Sequence, residues 1–128
     1  MVSGNGAPHG GEMNSAILEW TRISAADWYQ VKLFAQHASG FSMDALHVII
    51  GVVLQLAIAL LFRSSVARPL PLLTVLGLEL INEMSDFRVE RWPNPGMQFG
   101  ESAKDVFLTI IVPTLIFLVA RYRPALLR

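Results

Sequence analysis

The chain has 128 residues, a length that suits one small domain. Ten basic and ten acidic residues cancel, so no bulk charge points to a nucleic-acid partner, and the lack of cysteine excludes disulfides and thiolate metal sites. With 53% hydrophobic residues, 16% charged residues and a mean hydropathy of +0.48, the composition is greasier than that of soluble domains, where roughly a quarter of residues are charged.

Residues 1–14 contain Gly and Pro but neither a basic n-region nor an apolar h-region, so they read as a flexible tail and not as a secretory signal. Residues 15–40 form the next unit. Its first piece, "AILEWTRI", is short. In "SAADWYQVKLFAQHASG", Ser24 and Asp27 have the spacing of an N-cap and a third helical residue. Trp28, Val31, Phe34 or Ala35, and Ala38 recur at helical spacing, and Gly40 stops the helix. The expectation is an amphipathic helix at a membrane interface, with Trp28 and Tyr29 at headgroup level. A helix packed on soluble neighbours is the alternative; the long apolar segments that follow favour the interface.

Residues 41–128 are predicted to hold three transmembrane helices, so the expected fold class is all-α and integral to a membrane. Residues 45–62 form an apolar run with no formal charge unless His47 is protonated, and Ser42 is placed to cap it. At 1.5 Å per residue the run spans roughly 27 Å, close to a bilayer core. "RSSVARP" then leads to a second segment, whose uncharged part, residues 70–78, is too short to span alone. It spans only if Glu79, Asn82 and Glu83 turn away from lipid. The stretch "DFRVERWPNPGMQFGESAKD" reads as a turn-rich linker, and residues 106–120, with Pro113 inside, are the third candidate. Arg63 and Arg68 in one loop and Arg121, Arg123 and Arg128 in the tail carry no accompanying acid, which places the C-terminus inside. Five basic residues on the opposite side narrow that difference: Arg22, Lys32, Arg88, Arg91 and Lys104.

Alternating helix direction brings the polar ends to one membrane face. Asp44, His47, Gly51 and Gln55 form one stripe; Glu79, Asn82, Glu83 and Asp86 form a second; Glu101, Asp105, Thr109 and Pro113 form a third. The stripes should face each other, because a charge turned to hydrocarbon costs about 3 kcal/mol.

These residues resemble the VanZ-like family of small membrane proteins. "MDALH" supplies an acid and a His opening an early helix, Asp44 and His47. "ELIN" supplies Glu79 and Asn82, with Asn where the family usually has Gln, and Arg88 or Arg91 stands for the family Arg. "SAKDVFLT" supplies Ser102, Asp105 and Thr109, with Thr in place of Asn. The resemblance covers residues 42–112 and implies a bacterial inner-membrane accessory protein with no settled chemistry.

A lone His in an apolar helix is more often a hydrogen-bonded core residue than a ligand, and no second His lies nearby, so no metal and no cofactor are expected. Clustered carboxylates suit either a structural network or a binding site. No nucleophile stands in a catalytic setting: Ser85 and Ser102 lack a nucleophile elbow, and Thr74 and Thr109 read as bonding to helix carbonyls. The expected function is binding of a membrane lipid headgroup, another amphiphile or a membrane protein partner, in a homo-oligomer or larger complex. The alternatives are a helix-packing subunit of an energy-converting complex and a membrane-embedded hydrolase or transferase using His47, Glu79 and Asp105. Transport of a proton or cation is the weakest reading, because three helices make a thin pathway.

Overall fold

The computed structural model describes residues 10–127, and among them there are four α-helices, a terminal 3-10 turn and no strand. The helices are α1 (Gly10–Ser39), α2 (Met43–Leu61), α3 (Pro69–Val89) and α4 (Pro95–Tyr122); the 3-10 turn is Pro124–Leu127. The fold is therefore all-α. Two of its helices, α2 and α4, are long and apolar enough to cross a membrane. Their 19 and 28 residues correspond to about 28 and 42 Å.

The first helix corrects the expected tail and cap. Residues 1–9 of the tail lie outside the described residues, but residues 10–14 are already helical. Ser24 is not an N-cap: its hydroxyl donates to the Trp20 carbonyl at 3.0 Å, in the middle of one continuous helix. The physical reason is that no Gly or Pro interrupts residues 12–39, and a hydroxyl satisfied by the i−4 carbonyl does not compete with the helical backbone. Gly40 does end the helix. Its φ of +72° is one that glycine adopts without strain, and its N–H reaches the Gln36 carbonyl at 3.0 Å.

α2 begins where the sequence indicates. Ser42 accepts a hydrogen bond from the Ala45 N–H at 3.2 Å. The helix ends in a Schellman turn: Ser64 N–H bonds the Ala59 carbonyl and Arg63 N–H bonds the Leu60 carbonyl. The left-handed position of that turn is Arg63, at φ +47°.

The linker between α3 and α4 is shorter than its Pro and Gly content suggests. α3 runs on to Val89 and α4 starts at Pro95, so only residues 90–94 are irregular. Proline at the first helical position lacks only an N–H that would be unpaired there anyway. Asn94 caps the helix, its side chain accepting from the Gly96 N–H at 2.7 Å. Gly96 and Gly100 are thus helical, not turn residues.

Short connections make α3 antiparallel to both α2 and α4, which run parallel to each other, and the three helices pack on one another while α1 lies along α3. Few apolar side chains are buried: Ala25, Ile58, Ala59 and Val75. Polar ones are buried beside them: Gln55, Glu79, Glu83, Asp86 and Thr109. Large apolar side chains such as Leu56, Leu60, Leu73, Ile81, Phe107 and Leu115 face outward.

Candidate functional site

The polar stripes meet inside the bundle, at the N-terminal part of α2, the C-terminal half of α3 and the N-terminal half of α4. Their approach depends on two residues without bulk or without a donor. An added Cβ on Gly51 would lie 2.0 Å from the Thr109 carbonyl oxygen, so α2 and α4 touch backbone to backbone there. Pro113 has no N–H, which leaves that same carbonyl without its i+4 helical donor. One turn deeper, the fully buried Gln55 donates to the Pro113 carbonyl at 2.9 Å.

His47 sits at the centre. Its Nδ1 is 3.1 Å from Thr109 Oγ1 and 3.0 Å from Glu79 Oε1. The Thr109 hydroxyl hydrogen is already given to the Asp105 carbonyl at 2.9 Å, so Thr109 accepts from Nδ1. Glu79 Oε1 is near in distance but has no aligned donor, and it is buried. The Thr109 contact therefore fixes the ring, and the Glu79 contact is electrostatic. The opposite ring nitrogen, Nε2, faces Asp105 Oδ2 at 3.6 Å, beyond hydrogen-bond range. One ligand atom each from His47, Glu83 and Asp105 lies within 4.8 Å of the others, an arrangement that can hold a metal ion.

The other sequence-selected residues divide between this centre and two flanking positions. Asp86 turns to α1, where it pairs with Lys32 in a partly buried ion pair. Asn82 turns the same way, accepting from Trp28 Nε1 at 2.9 Å and from Lys32 Nζ at 3.3 Å, while its amide donates to Glu83 at 3.3 Å. Asp44 leaves the centre for an exposed rim. There Lys104 reaches Asp44 at 3.2 Å and Glu101 at 2.6 Å, an arrangement that solvent screens. Ser102 faces Glu83. Arg88 is exposed and forms no ion pair among the described residues, so it takes no part in the network expected of it. Its position on α3 points away from the face that carries Glu79, Glu83 and Asp86.

Trp28 and Lys32, which sequence reasoning left in the interfacial helix, are part of the site. The available signal was Lys32 itself, one of only two lysines, standing between Trp28 and Ala35 on the apolar face of α1. Burial pushes the neighbouring Tyr29 hydroxyl above the usual phenol range, and the Glu90 and Asp86 carboxylates push it the same way.

Between α1, α2 and α3 lies a cleft of about 500 Å³. Its walls are largely apolar, with Leu46, Ile50, Leu54, Leu78 and Ile81 among them; its polar groups are Lys32, His47, Glu79, Asn82 and Ser85. Comparison with known proteins finds no matching family model, no matching curated protein and no matching solved structure.

Proposed function

We propose that the chain is a small integral membrane protein that binds an amphiphile in the cleft between α1, α2 and α3. The observation that carries this reading is the pairing of an apolar wall with Lys32, His47, Glu79 and Asn82 in one cleft of about 500 Å³. That volume is in the range of small-molecule sites, which combine apolar lining with a few placed polar groups. An acyl or isoprenoid chain fits against Ile50, Leu54 and Leu78, and a hydrogen-bonding headgroup meets Asn82 and Glu79.

In this reading α3 is the third span. Its carboxylates Glu79, Glu83 and Asp86 are buried within the protein, which supports a helix that turns apolar side chains to lipid and acids inward. α1 lies at the interface with its exposed Trp20 and Trp28. The VanZ-like assignment, the bacterial inner membrane and the inside position of the C-terminus belong to the same proposal and rest on the sequence features that suggested them.

Native mass spectrometry of protein released gently from its own membrane tests the reading. The expected result is a stoichiometric lipid-sized adduct that is lost in Leu54→Trp, which fills the cleft. A bare protein, or an adduct equally retained by Leu54→Trp, overturns it. Glu79→Gln separates binding from structure: the proposal expects the variant to fold and to lose the adduct.

A further inference from the structure

We propose that His47, Glu83 and Asp105 form a binding site for one divalent transition-metal ion, of the zinc, cobalt or manganese class. The site shares His47 with the wall of the amphiphile cleft, but Glu83 and Asp105 do not line that cleft, and metal binding through them does not require the proposed lipid function.

The geometry of the imidazole comes first. Thr109 Oγ1 accepts from Nδ1, because its own hydrogen goes to the Asp105 carbonyl. The neutral ring therefore carries its proton on Nδ1 and presents a lone pair at Nε2. That lone pair faces the Asp105 carboxylate at 3.6 Å, so two electron-rich atoms look at each other across a gap that no hydrogen bond closes. A cation between them removes the conflict.

Charge is the second argument. Glu79, Glu83 and Asp105 surround a single imidazole. Neither lysine neutralises them: Lys32 is held by Asp86, and Lys104 by Asp44 and Glu101 at the rim. Glu79 and Glu83 are both more than nine-tenths buried, and Glu79 Oε1 has no hydrogen-bond partner. Buried carboxylates without counter-charge are costly, and a doubly charged ion bound by two of them offsets that cost. Thr109, accepting from Nδ1, then holds the place of the group that commonly backs a metal-bound histidine, and Glu79 adds its charge at the same edge of the ring.

Distances are the third argument. Three ligand atoms no more than 4.8 Å apart leave a central point about 2.8 Å or less from each, against about 2.0–2.2 Å for bonds from zinc to nitrogen and oxygen. Side-chain shifts of well under 1 Å close that difference, and rotation of the Asp105 and Glu83 carboxylates supplies them, the latter against a long 3.3 Å bond from Asn82. One nitrogen and two oxygens suit borderline divalent ions over Cu(I), which prefers sulfur. The absence of a second histidine argued against a metal when only spacing along one helix was considered. The third ligand comes instead from α3, 36 positions beyond His47 in the numbering.

The test uses the full chain in detergent, stripped with a chelator and titrated calorimetrically with zinc chloride and manganese chloride. The expected result is one site per chain, with affinity reduced at least tenfold in Glu83→Gln and in Asp105→Asn while circular dichroism shows unchanged helix content. Thr109→Val, which removes only the orienting partner of Nδ1, should weaken binding about 10- to 100-fold. Cobalt(II) on the unaltered protein gives a readout that needs no variant: d–d absorption bands should appear at one equivalent and disappear on adding zinc. No binding by the folded protein, no protein-induced cobalt bands, or equal affinity in folded Glu83→Gln and Asp105→Asn overturns the proposal.

Discussion

Gly51 has room for a hydrogen and nothing larger. A methyl group there would collide with the Thr109 carbonyl oxygen, which is main chain and has no rotamer to yield. Gly51→Ala should therefore push α2 from α4 and cost about 1–3 kcal/mol, read as a lower midpoint of unfolding in detergent. Because the displaced partner carries Thr109, the same variant should also loosen the orientation of His47. Gln55 presents the opposite situation. It gives one hydrogen bond to Pro113 and keeps a buried carbonyl oxygen without a partner. Gln55→Leu removes both the bond and the orphan atom, so the expected stability change is within about 1 kcal/mol, whereas Gln55→Ala leaves a void and should cost more. Thermal unfolding of the two variants side by side distinguishes the cases.

α1 is attached to α3 through three polar contacts: Trp28 with Asn82, and Lys32 with both Asn82 and Asp86. Removing one member of a largely buried ion pair strands its partner. Lys32→Met should destabilise the docked helix by about 3 kcal/mol, and the double variant Lys32→Met with Asp86→Asn should recover much of that loss. Fluorescence emission is the simplest readout, with Trp28 shifting to longer wavelength as α1 detaches. At the end of α2, Arg63 occupies a left-handed position that glycine fills without strain, so Arg63→Gly should raise the unfolding temperature, by about 1 kcal/mol in stability. Much of this arrangement was legible in the chain. The i+3 and i+4 spacings place Gly51 with Gln55, Glu79 with Glu83 and Thr109 with Pro113 on inward faces, and Ser42 announces the start of α2. The extent of α1 and α4 was less so, because Pro93, Pro95, Gly96 and Gly100 look like turn residues until Asn94 is seen to cap a helix that begins at proline. Which acids share the centre was not legible at all. Asp44, Asp86 and Glu83 have the same chemistry in sequence, and the reach of Lys104 and Lys32 from other helices decides which of them leave.

Taken whole, the protein turns the usual distribution of polarity inside out, with carboxylates and amides buried and leucines exposed. In water such a molecule would aggregate through its outer faces. In detergent or lipid the same faces are covered, and the expected outcome is a single species by size-exclusion chromatography with light scattering in detergent and polydisperse material on detergent removal. If α3 crosses a membrane as proposed, it does so only with its neighbours, because Glu79 turns to His47 on α2 and Asp86 to Lys32 on α1. The contact between Gln55 and Pro113 joins positions 58 residues apart. During synthesis, α2 is complete well before Pro113 exists, and for that interval its amide has no mate from α4. If α2 enters a membrane as proposed, a chain cut short before α4 carries an unmatched amide in the middle of a hydrophobic helix, and the expected outcome is faster turnover than that of the full chain in a pulse-chase measurement.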